Sequence, residues 1–202
     1  MNNMSGDRGV QWMLAYQHGD EGAFDALVQA YSGQVYSLLT RFLGPVAGRE
    51  DLVQEVFLRV IRARERYRPT ARLSTWLYRI VFNLCVNRTQ RLGERTLSLE
   101  AGGPGEAGGG PGPLGAQLPD PGAGDPSIPL EREDVVRAVR AAVAGLPEAQ
   151  RMALILARYE ELPYAEIAKV FGSSEKAIKS LVHRARENLR ARLRPLLEEE
   201  YA

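Results

Sequence analysis

Apolar residues recur at intervals of three and four through the first half of the chain, and this period predicts amphipathic helices. In GDEGAFDALVQAYSGQVYSLLTRFLG the apolar positions are Phe24, Leu27, Val28, Tyr31, Val35, Leu38, Leu39 and Phe42. Gly44 and Pro45 predict the end of this helix. REDLVQEVFLRVIRARERY predicts a second helix, with Pro69 after it. Because no useful run of alternating apolar and polar residues is present, the expected fold class is all-α.

The segment RLSTWLYRIVFNLCVNRTQR predicts a third helix with two different sides, which Ser74 or Thr75 is expected to cap. One side is an apolar stripe formed by Leu73, Leu77, Ile80, Val81 and Leu84. The other side is formed by Trp76, Arg79, Asn83 and Asn87. Burying the two asparagines without partners would cost about 1–3 kcal/mol each. This second side is therefore expected to face water or a ligand.

An indole ring beside arginine and asparagine side chains suits an unstacked nucleic-acid base. The ring or a guanidinium stacks on the base, and the amide reads a base edge. Arg88, Arg91 and Arg95 are placed to follow the phosphates. The alternative is that Trp76 and Phe82 belong to the hydrophobic core, and the residues alone leave both interpretations open.

LPYAEIAKVFGSSEKAIKSLVHRARENLR predicts two helices joined by a tight turn, which is a helix-turn-helix motif. Pro163 suits the first helical turn, and Gly172 supplies the turn between the helices. Ser173 or Ser174 is expected to cap the second helix, with Glu175 in its first turn, where the helix dipole favours an acid. The residues expected to pack the two helices together are Ile167, Ala168, Phe171, Ile178, Leu181 and Val182.

The second helix of this motif keeps a polar and basic face. Its members, spaced three and four apart, are Lys176, Lys179, Ser180, His183 and Arg184. Such a face suits the major groove of DNA, where these side chains reach base edges and phosphates. The alternative is a basic helix surface exposed to water. A metal-binding role for His183 is not expected, because His18 is the only other histidine.

A change in composition divides the chain. Residues 93–129 contain 11 of the 20 glycines and 7 of the 12 prolines. A segment of this composition buries little apolar surface, so it predicts a flexible linker. The chain is therefore expected to form two small helical domains, residues 8–92 and residues 130–198, of which the second carries the helix-turn-helix motif.

The net charge of +1 hides two basic stretches. Residues 59–95 hold 10 arginines against 2 acidic residues, and residues 169–194 hold 8 basic residues against 2 acidic ones. One basic stretch in each predicted domain indicates a polyanion that the protein contacts in two places.

The sequence lacks the residues that several classes of function require. The sequence has no nucleophile–base pair, paired carboxylates, phosphate-binding glycine loop or metal cluster, so neither an enzyme nor a cofactor is expected. The single cysteine, Cys85, excludes an intramolecular disulfide and is expected to be a small buried hydrophobe. No window approaches a transmembrane span, and no secretory signal begins the chain. A cytoplasmic protein without membrane insertion is expected.

Three segments together resemble sigma factors of the extracytoplasmic-function (ECF) class, the minimal two-domain members of the bacterial sigma family. They are DLVQEVFLRV, TARLSTWLYRIVFNLCVNRTQR and LPEAQRMALILARYEELPYAEIAKVFGSSEKAIKSLVHRARENL. The resemblance covers nearly all of the chain outside the linker, and the order of the motifs is more specific than a helix-turn-helix alone. It implies a protein that binds RNA polymerase core and directs promoter-specific transcription initiation.

The resemblance also implies roles for residues at matching positions. DLVQEVF resembles the segment that docks on the clamp helices of the largest polymerase subunit, and its candidates are Asp51, Gln54, Glu55 and Leu58. STWLYRIVFN resembles the segment that captures a flipped base of the −10 promoter element, and the candidates there are Trp76, Arg79, Asn83, Asn87 and Arg88. The helix-turn-helix resembles the domain that reads the −35 element, with the candidates Tyr164, Lys176, Lys179, Ser180, His183 and Arg184.

The partners implied by the resemblance are RNA polymerase core, at its clamp helices and flap region, promoter DNA, and an anti-sigma factor. Three other functions stay open from the residues alone. These are a transcription activator or repressor that binds duplex DNA without polymerase, a nucleic-acid enzyme or accessory protein, and a structural adaptor. The first explains the helix-turn-helix but not DLVQEVF or the surface from Trp76 to Asn83.

Overall fold

The computed structural model describes the backbone of residues 6–44, 46–100 and 130–199, with the side chains of these ranges except those of 91–100, 130–134 and 195–199. Within these ranges the chain is helical and has no strand, which confirms the expected all-α fold. The helices are α1 (Arg8–Gln17), α2 (Glu21–Leu43), α3 (Arg49–Ala63), α4 (Leu73–Glu100), α5 (Leu130–Ala144), α6 (Glu148–Arg158), α7 (Tyr164–Phe171) and α8 (Glu175–Glu199).

The first domain packs around α2, which contacts α1, α3 and α4. The residues of α2 that are buried there include Leu27, Val35, Leu38, Leu39 and Phe42. The residues that α4 buries include Leu73, Leu77, Val81 and Leu84, which confirms the predicted stripe, while Ile80 is half-buried. The structure adds α1, a helix that the sequence analysis did not predict.

The start of α4 differs from the expectation. This helix begins at Leu73, so Ser74 and Thr75 lie in its first turn and neither caps it. The acceptor comes from another part of the chain, because an Asp7 side-chain oxygen accepts a hydrogen bond from the Leu73 N–H at 3.3 Å. The other oxygen of Asp7 caps α1 by accepting from the Val10 N–H at 3.1 Å.

The second domain packs around α8, which contacts α5, α6 and α7. Its buried residues include Met152, Ile155, Leu156, Ile167, Val170, Ile178, Val182 and Ala185. Phe171 and Leu181, which were also predicted to face inward, are half-buried at the edge of this core. Helix α4 continues through residues 93–100, which lie within the predicted linker, and the rest of that linker, residues 101–129, lies outside the described residues.

Cys85 is fully buried in α4, as expected for a small hydrophobe. Burial raises the pKa of its thiol to about 12, although the positive charges of Arg151 and Arg88 act in the opposite direction. A thiol with such a pKa stays protonated and unreactive. Among the residues that the structure describes, no helix is long and apolar enough to cross a membrane.

The two domains pack against each other, with α4 against α7 and α2 against α6. Three phenylalanine rings join their cores. The ring centroids of Phe82 and Phe171 are 4.7 Å apart, and those of Phe42 and Phe82 are 6.5 Å apart. The sequence analysis predicted two domains but not this direct contact between them.

Candidate nucleic-acid interface

The turn between α7 and α8 has the predicted helix-turn-helix geometry. Gly172 has φ 61° and ψ 39°, a left-handed conformation that residues with a side chain rarely adopt. The hydroxyl of Ser174 accepts a hydrogen bond from the Ala177 N–H at 3.2 Å, so Ser174 caps α8. The turn therefore sets α8 against α7 through buried side chains, which include Ile167, Ala168, Val170, Ile178 and Val182.

The outward face of α8 keeps all of its predicted contact residues exposed. They are Lys176, Lys179, Ser180, His183 and Arg184. The Lys179 Nζ lies 2.9 Å from an oxygen of Glu175, and the Arg184 Nε donates to the Ser180 carbonyl oxygen at 3.4 Å. Exposed ion pairs of this kind contribute little to stability. A phosphate can therefore replace the Glu175 carboxylate at small cost.

The start of α7 carries Tyr164, which is half-buried, and Glu166 in the first turn pairs with Lys169 in the last turn. An oxygen of Glu166 accepts a hydrogen bond from the Lys169 Nζ at 2.7 Å. Burial acts to raise the pKa of the Glu166 carboxyl, but hydrogen bonds from Lys169 and Thr75 and the charges of Lys169 and Arg72 outweigh it, so the pKa is lowered. Glu166 is therefore an anion at neutral pH.

Two asparagines of α4 face the solvent, one turn apart on the same side of the helix. The side chains of Asn83 and Asn87 are both exposed, and neither amide has a hydrogen-bond partner among the described residues. This agrees with the argument that burying them unpaired would be costly. Their donors and acceptors are free to bind a ligand.

The other three candidates on α4 are placed differently. Trp76 is half-buried and packs edge-on against Tyr67, with ring centroids 5.0 Å apart. Arg79 is exposed, and its guanidinium donates to the carbonyl oxygen of Lys169 in the second domain. Arg88 is half-buried, and its Nε is buried without a partner among the described residues. The predicted single side is therefore divided between solvent, core and domain interface.

The candidate residues of α3 lie on the outward side of that helix. Asp51, Gln54 and Leu58 are exposed, and Glu55 is half-buried. The opposite side packs into the core through Leu52, Val56, Phe57 and Val60. Because the buried side anchors α3 to the domain, the outward side is free to meet another molecule.

This outward side of α3 combines a paired carboxylate with apolar surface. An oxygen of Glu55 accepts a hydrogen bond from the Arg59 Nε at 2.9 Å and lies 3.8 Å from an Arg62 nitrogen. The hydrogen bond from Arg59 is the main reason that the pKa of the Glu55 carboxyl is lowered. Leu58 and Ile61, two large apolar side chains one turn apart, are 45% and 41% exposed.

Two models of known families match parts of the chain. The family model for sigma-70 region 2 matches residues 27–95, and the model for sigma-70 region 4 matches residues 136–189. The first match includes α3 and the candidate residues of α4, and the second includes the helix-turn-helix. The chain belongs to the sigma-70 family.

Two relatives are similar to this chain over nearly its whole length, and the second is named as an ECF sigma factor. The RNA polymerase sigma-H factor of Pseudomonas aeruginosa is 32% identical over 191 residues, which cover 91% of this chain and 92% of the relative. The ECF RNA polymerase sigma-E factor of Escherichia coli K12 is 31% identical over 186 residues, which cover 90% of this chain and 92% of the relative. The protein is an ECF sigma factor, a subunit that directs promoter-specific transcription initiation.

Two solved structures share the fold. One is the sigma factor RpoE of Bartonella quintana in complex with the anti-sigma factor NepR, with a TM-score of 0.60, 20% identity, and coverage of 85% of this chain and 96% of that one. Another is CnrH in complex with the cytosolic domain of CnrY, with a TM-score of 0.62, 21% identity, and coverage of 94% and 97%. Both confirm a helical two-domain architecture.

The sequence analysis missed a third side of α4, formed by Thr75, Tyr78 and Phe82. Thr75 and Tyr78 are only 2% and 3% exposed, and their hydroxyls donate to Glu166 and Glu160 of the second domain. The three residues are spaced three and four apart beside the apolar stripe. That helical spacing is the signal in the sequence from which a second buried side of α4 could have been predicted.

Proposed function

We propose that this sigma factor binds RNA polymerase core and reads two promoter elements with different helices of one chain. The observation that carries the proposal is that the region 2 match includes the exposed amides of α4, while the region 4 match includes the exposed basic face of α8. Each domain thus offers DNA a surface of its own. The domain limits, residues 8–92 and 130–198 with residues 93–129 between them, stay a prediction.

The −35 element is assigned to the helix-turn-helix. Lys179, Ser180, His183 and Arg184 form the part of the face expected to reach base edges in the major groove, because they lie on the outward side of α8. The residues assigned to the phosphate backbone are Tyr164 and Lys176. Contacts to phosphates position the helix, and contacts to base edges select the sequence.

The −10 element is assigned to α4. Taking a base out of the stack costs a few kcal/mol, and a pocket that holds the flipped base offsets this cost. Asn83 is assigned to the edge of the flipped base, with Asn87 one turn further along the same exposed side. Trp76 supports the pocket from its position against Tyr67. The guanidiniums assigned to the phosphates are those of Arg79 and Arg88.

The outward side of α3 is assigned to the polymerase core. Asp51, Gln54, Glu55 and Leu58 are the residues that would meet the clamp helices of the largest subunit, and the helix-turn-helix domain would meet the flap region. Leu58 supplies exposed apolar surface that the polymerase would bury. The carboxylates of Asp51 and Glu55 and the amide of Gln54 would orient α3 on the polymerase through polar contacts.

Regulation by an anti-sigma factor is part of the proposal, since a sigma factor of the same fold was solved in complex with an anti-sigma factor. No bond chemistry is assigned to the chain. In the part of the chain that the structure describes, no group of three or more His, Cys, Asp or Glu residues could hold a metal ion. The proposed role is that of a specificity subunit working with polymerase in the cytoplasm, not an enzyme.

Run-off transcription on a genomic promoter library tests this function. Purified polymerase core would be assayed with and without the protein. New start sites that share two elements at fixed spacing support the proposal and give the promoter sequence. Absence of new start sites, combined with tight binding to duplex DNA, would instead support an activator or repressor. Leu58→Glu should abolish the new start sites while leaving duplex binding intact, because Leu58 lies on α3 and not on α8.

A further inference from the structure

The lysines of this chain are confined to one motif, and this supports an inference that rests on the assignment of the −35 element to α8. Only three of the 26 lysine and arginine residues are lysines, and all three lie in the helix-turn-helix, at Lys169, Lys176 and Lys179. We propose that Lys176 and Lys179 are acylation sites. Transfer of an acyl group from an acyl phosphate to these two amines weakens −35 binding and leaves the −10 and polymerase surfaces unmodified.

The reaction distinguishes lysine from arginine. A lysine amine that has lost its proton is a nucleophile, whereas a guanidinium stays charged in proteins. The lysine nitrogen attacks the carbonyl carbon of the acyl phosphate, a C–N bond forms, and the C–O bond to phosphate breaks. Phosphate leaves with the electron pair of that bond, and the proton of the amine goes to water. The product is a neutral amide, so each transfer removes one positive charge.

Lys176 offers an exposed amine that no other group holds. Its side chain has no hydrogen-bond or ion-pair partner among the described residues. It lies two positions after Ser174, the residue that caps α8, and belongs to the outward face of that helix. An acyl donor therefore reaches the Lys176 nitrogen without displacing a protein group.

Lys179 is exposed as well, and one weak contact holds it. Its side chain is 60% exposed, and its Nζ lies 2.9 Å from an oxygen of Glu175, which is itself 49% exposed. Exposed ion pairs of this kind contribute little to stability, so the amine leaves Glu175 at small cost. Acylation of Lys179 also leaves the Glu175 carboxylate without its cation, which adds repulsion toward the phosphates of DNA.

Lys169 differs from the other two lysines in its surroundings. Its side chain is half-buried, and its Nζ lies 2.7 Å from an oxygen of Glu166, whose side chain is only 13% exposed. Before it can react, Lys169 must leave this carboxylate, and a largely buried carboxylate that loses its cation is costly. We therefore expect Lys169 to be acylated last.

The surfaces of the first domain offer no lysine to an acyl donor. The basic stretch at residues 59–95 holds 10 arginines and no lysine, and neither α3 nor α4 contains one. The guanidiniums assigned to the −10 phosphates therefore keep their charge when the lysines of α8 lose theirs. Acylation thus changes one of the two DNA surfaces and not the other.

Treatment of the full chain with acetyl phosphate, followed by removal of the reagent, tests the sites. Peptide mapping by mass spectrometry should find acetyl groups on Lys176 and Lys179 first and on Lys169 last. Fluorescence anisotropy, with a duplex that the untreated protein binds, measures the consequence. The treated wild type should bind about tenfold or more weakly, and the slope of log K against log salt should become shallower by about 0.9 for each phosphate contact that is lost. Affinity for polymerase core, measured by surface plasmon resonance, should not change.

Two variants identify the lysines responsible, and each treated protein is compared with its own untreated sample. Lys176→Arg combined with Lys179→Arg keeps both charges and removes both nucleophiles, so treatment should not change the affinity of this variant for the duplex. Lys169→Arg is the matched control, and treatment should weaken its binding as much as that of the wild type. Lys176→Gln combined with Lys179→Gln should bind as weakly without treatment as the treated wild type.

Three results would overturn the proposal. They are acetyl groups found mainly on Lys169, equal loss of affinity in the wild type and the double arginine variant, and full acetylation of Lys176 and Lys179 with unchanged duplex binding. Run-off transcription by the untreated wild type keeps the two proposals separate. If that protein initiates at specific promoters but acetylation leaves duplex binding unchanged, the acylation proposal alone fails. If acetylation weakens duplex binding in a protein that never initiates with polymerase core, the proposed function alone fails.

Discussion

The Asp7 carboxylate accepts a hydrogen bond from the backbone N–H of Leu73 at 3.3 Å, across 66 positions of sequence. Its other oxygen accepts from Val10 at 3.1 Å, so one side chain satisfies the first turns of α1 and α4 together. This bond fixes the start of α4, the helix on which the −10 surface is proposed. The position of Asn83 and Asn87 thus depends on a residue near the beginning of the chain.

Asp7→Ala should lower the free energy of unfolding by more than a substitution that removes the cap of a single helix. A lost cap costs about 1 kcal/mol, so two lost together should lower the free energy of unfolding by about 2 kcal/mol. Asp20→Ala is the matched control, because Asp20 caps only α2, through the Ala23 N–H at 3.2 Å. Urea unfolding of the full chain measures both. Equal losses would contradict the shared role of Asp7.

The bond between Thr75 and Glu166 should contribute measurably to stability. Thr75→Val keeps the shape of the side chain and removes the donor, so we expect a loss of about 1–2 kcal/mol. Combined with Glu166→Gln in a double-mutant cycle, it should give a coupling energy of about 1 kcal/mol. The control cycle pairs Thr75→Val with Glu187→Gln, and it should be additive. Zero coupling in the first cycle would mean that the two groups do not meet in solution.

Glu166 should also make stability depend on pH in the acid range. The pKa of its carboxyl is lowered from the ordinary value of 4.5, since burial, which raises it, is outweighed by the bonds from Lys169 and Thr75. The stabilisation is therefore complete above the ordinary pKa and is lost as pH falls through the lowered one. We expect the difference in unfolding free energy between wild type and Glu166→Gln to stay constant from about pH 7 to about pH 5 and to shrink below about pH 4. If the difference in unfolding free energy between the two proteins does not change below about pH 4, the assigned role of the Glu166 carboxylate is wrong.

Asn83→Ala should weaken discrimination at the −10 element without unfolding the protein. Asn83 is exposed and has no partner among the described residues, so the change in unfolding free energy should stay within about 0.5 kcal/mol. Permanganate footprinting on promoter variants would report base capture, and thermal melting would report stability. A large fall in melting temperature, with equal loss on all −10 variants, would point to a structural role instead.

Arg184→Ala should weaken binding to a −35 duplex by about tenfold or more, because one good contact to a base edge is worth about 1–3 kcal/mol. Arg190→Ala is the control, since Arg190 lies further along α8, is exposed, and pairs with Glu187 at 2.5 Å. Arg190→Ala should weaken binding by a few-fold at most, and by the same factor on every −35 sequence. Fluorescence anisotropy at one fixed salt concentration measures both. Similar losses for the two variants would mean that charge alone, and not base reading, governs binding.

Local pattern was sufficient to predict α2, α3, α4 and the helix-turn-helix formed by α7 and α8. The period of the apolar residues predicted α2 and the buried stripe of α4, because burial of one helix side requires that spacing whatever the partner. Gly172 predicted the turn, and Ser173 or Ser174 predicted the cap of α8, which the structure shows to be Ser174, because both features are set by backbone geometry within a few residues. The exposed basic face of α8 followed from the same period.

The sequence could not show which side of α4 meets which surface. Trp76, Arg79 and Asn83 share a helical spacing, yet the first packs partly on Tyr67, the second reaches Lys169, and the third faces solvent. Helical period places residues on a side but does not identify the neighbour on that side. Here the neighbour is the second domain, which is distant in sequence.

What the sequence determined by itself is therefore most of the helices, the two-part organisation and the basic character of the outward face of α8, since these depend on residues close together in the chain. What only the tertiary structure decided is how the parts meet. The cap that Asp7 gives to Leu73, the burial of Thr75 against Glu166 and the contact of Phe82 with Phe171 all join residues far apart in sequence. Such contacts form only when the whole chain folds, because each partner is set by packing and not by its neighbours in the chain.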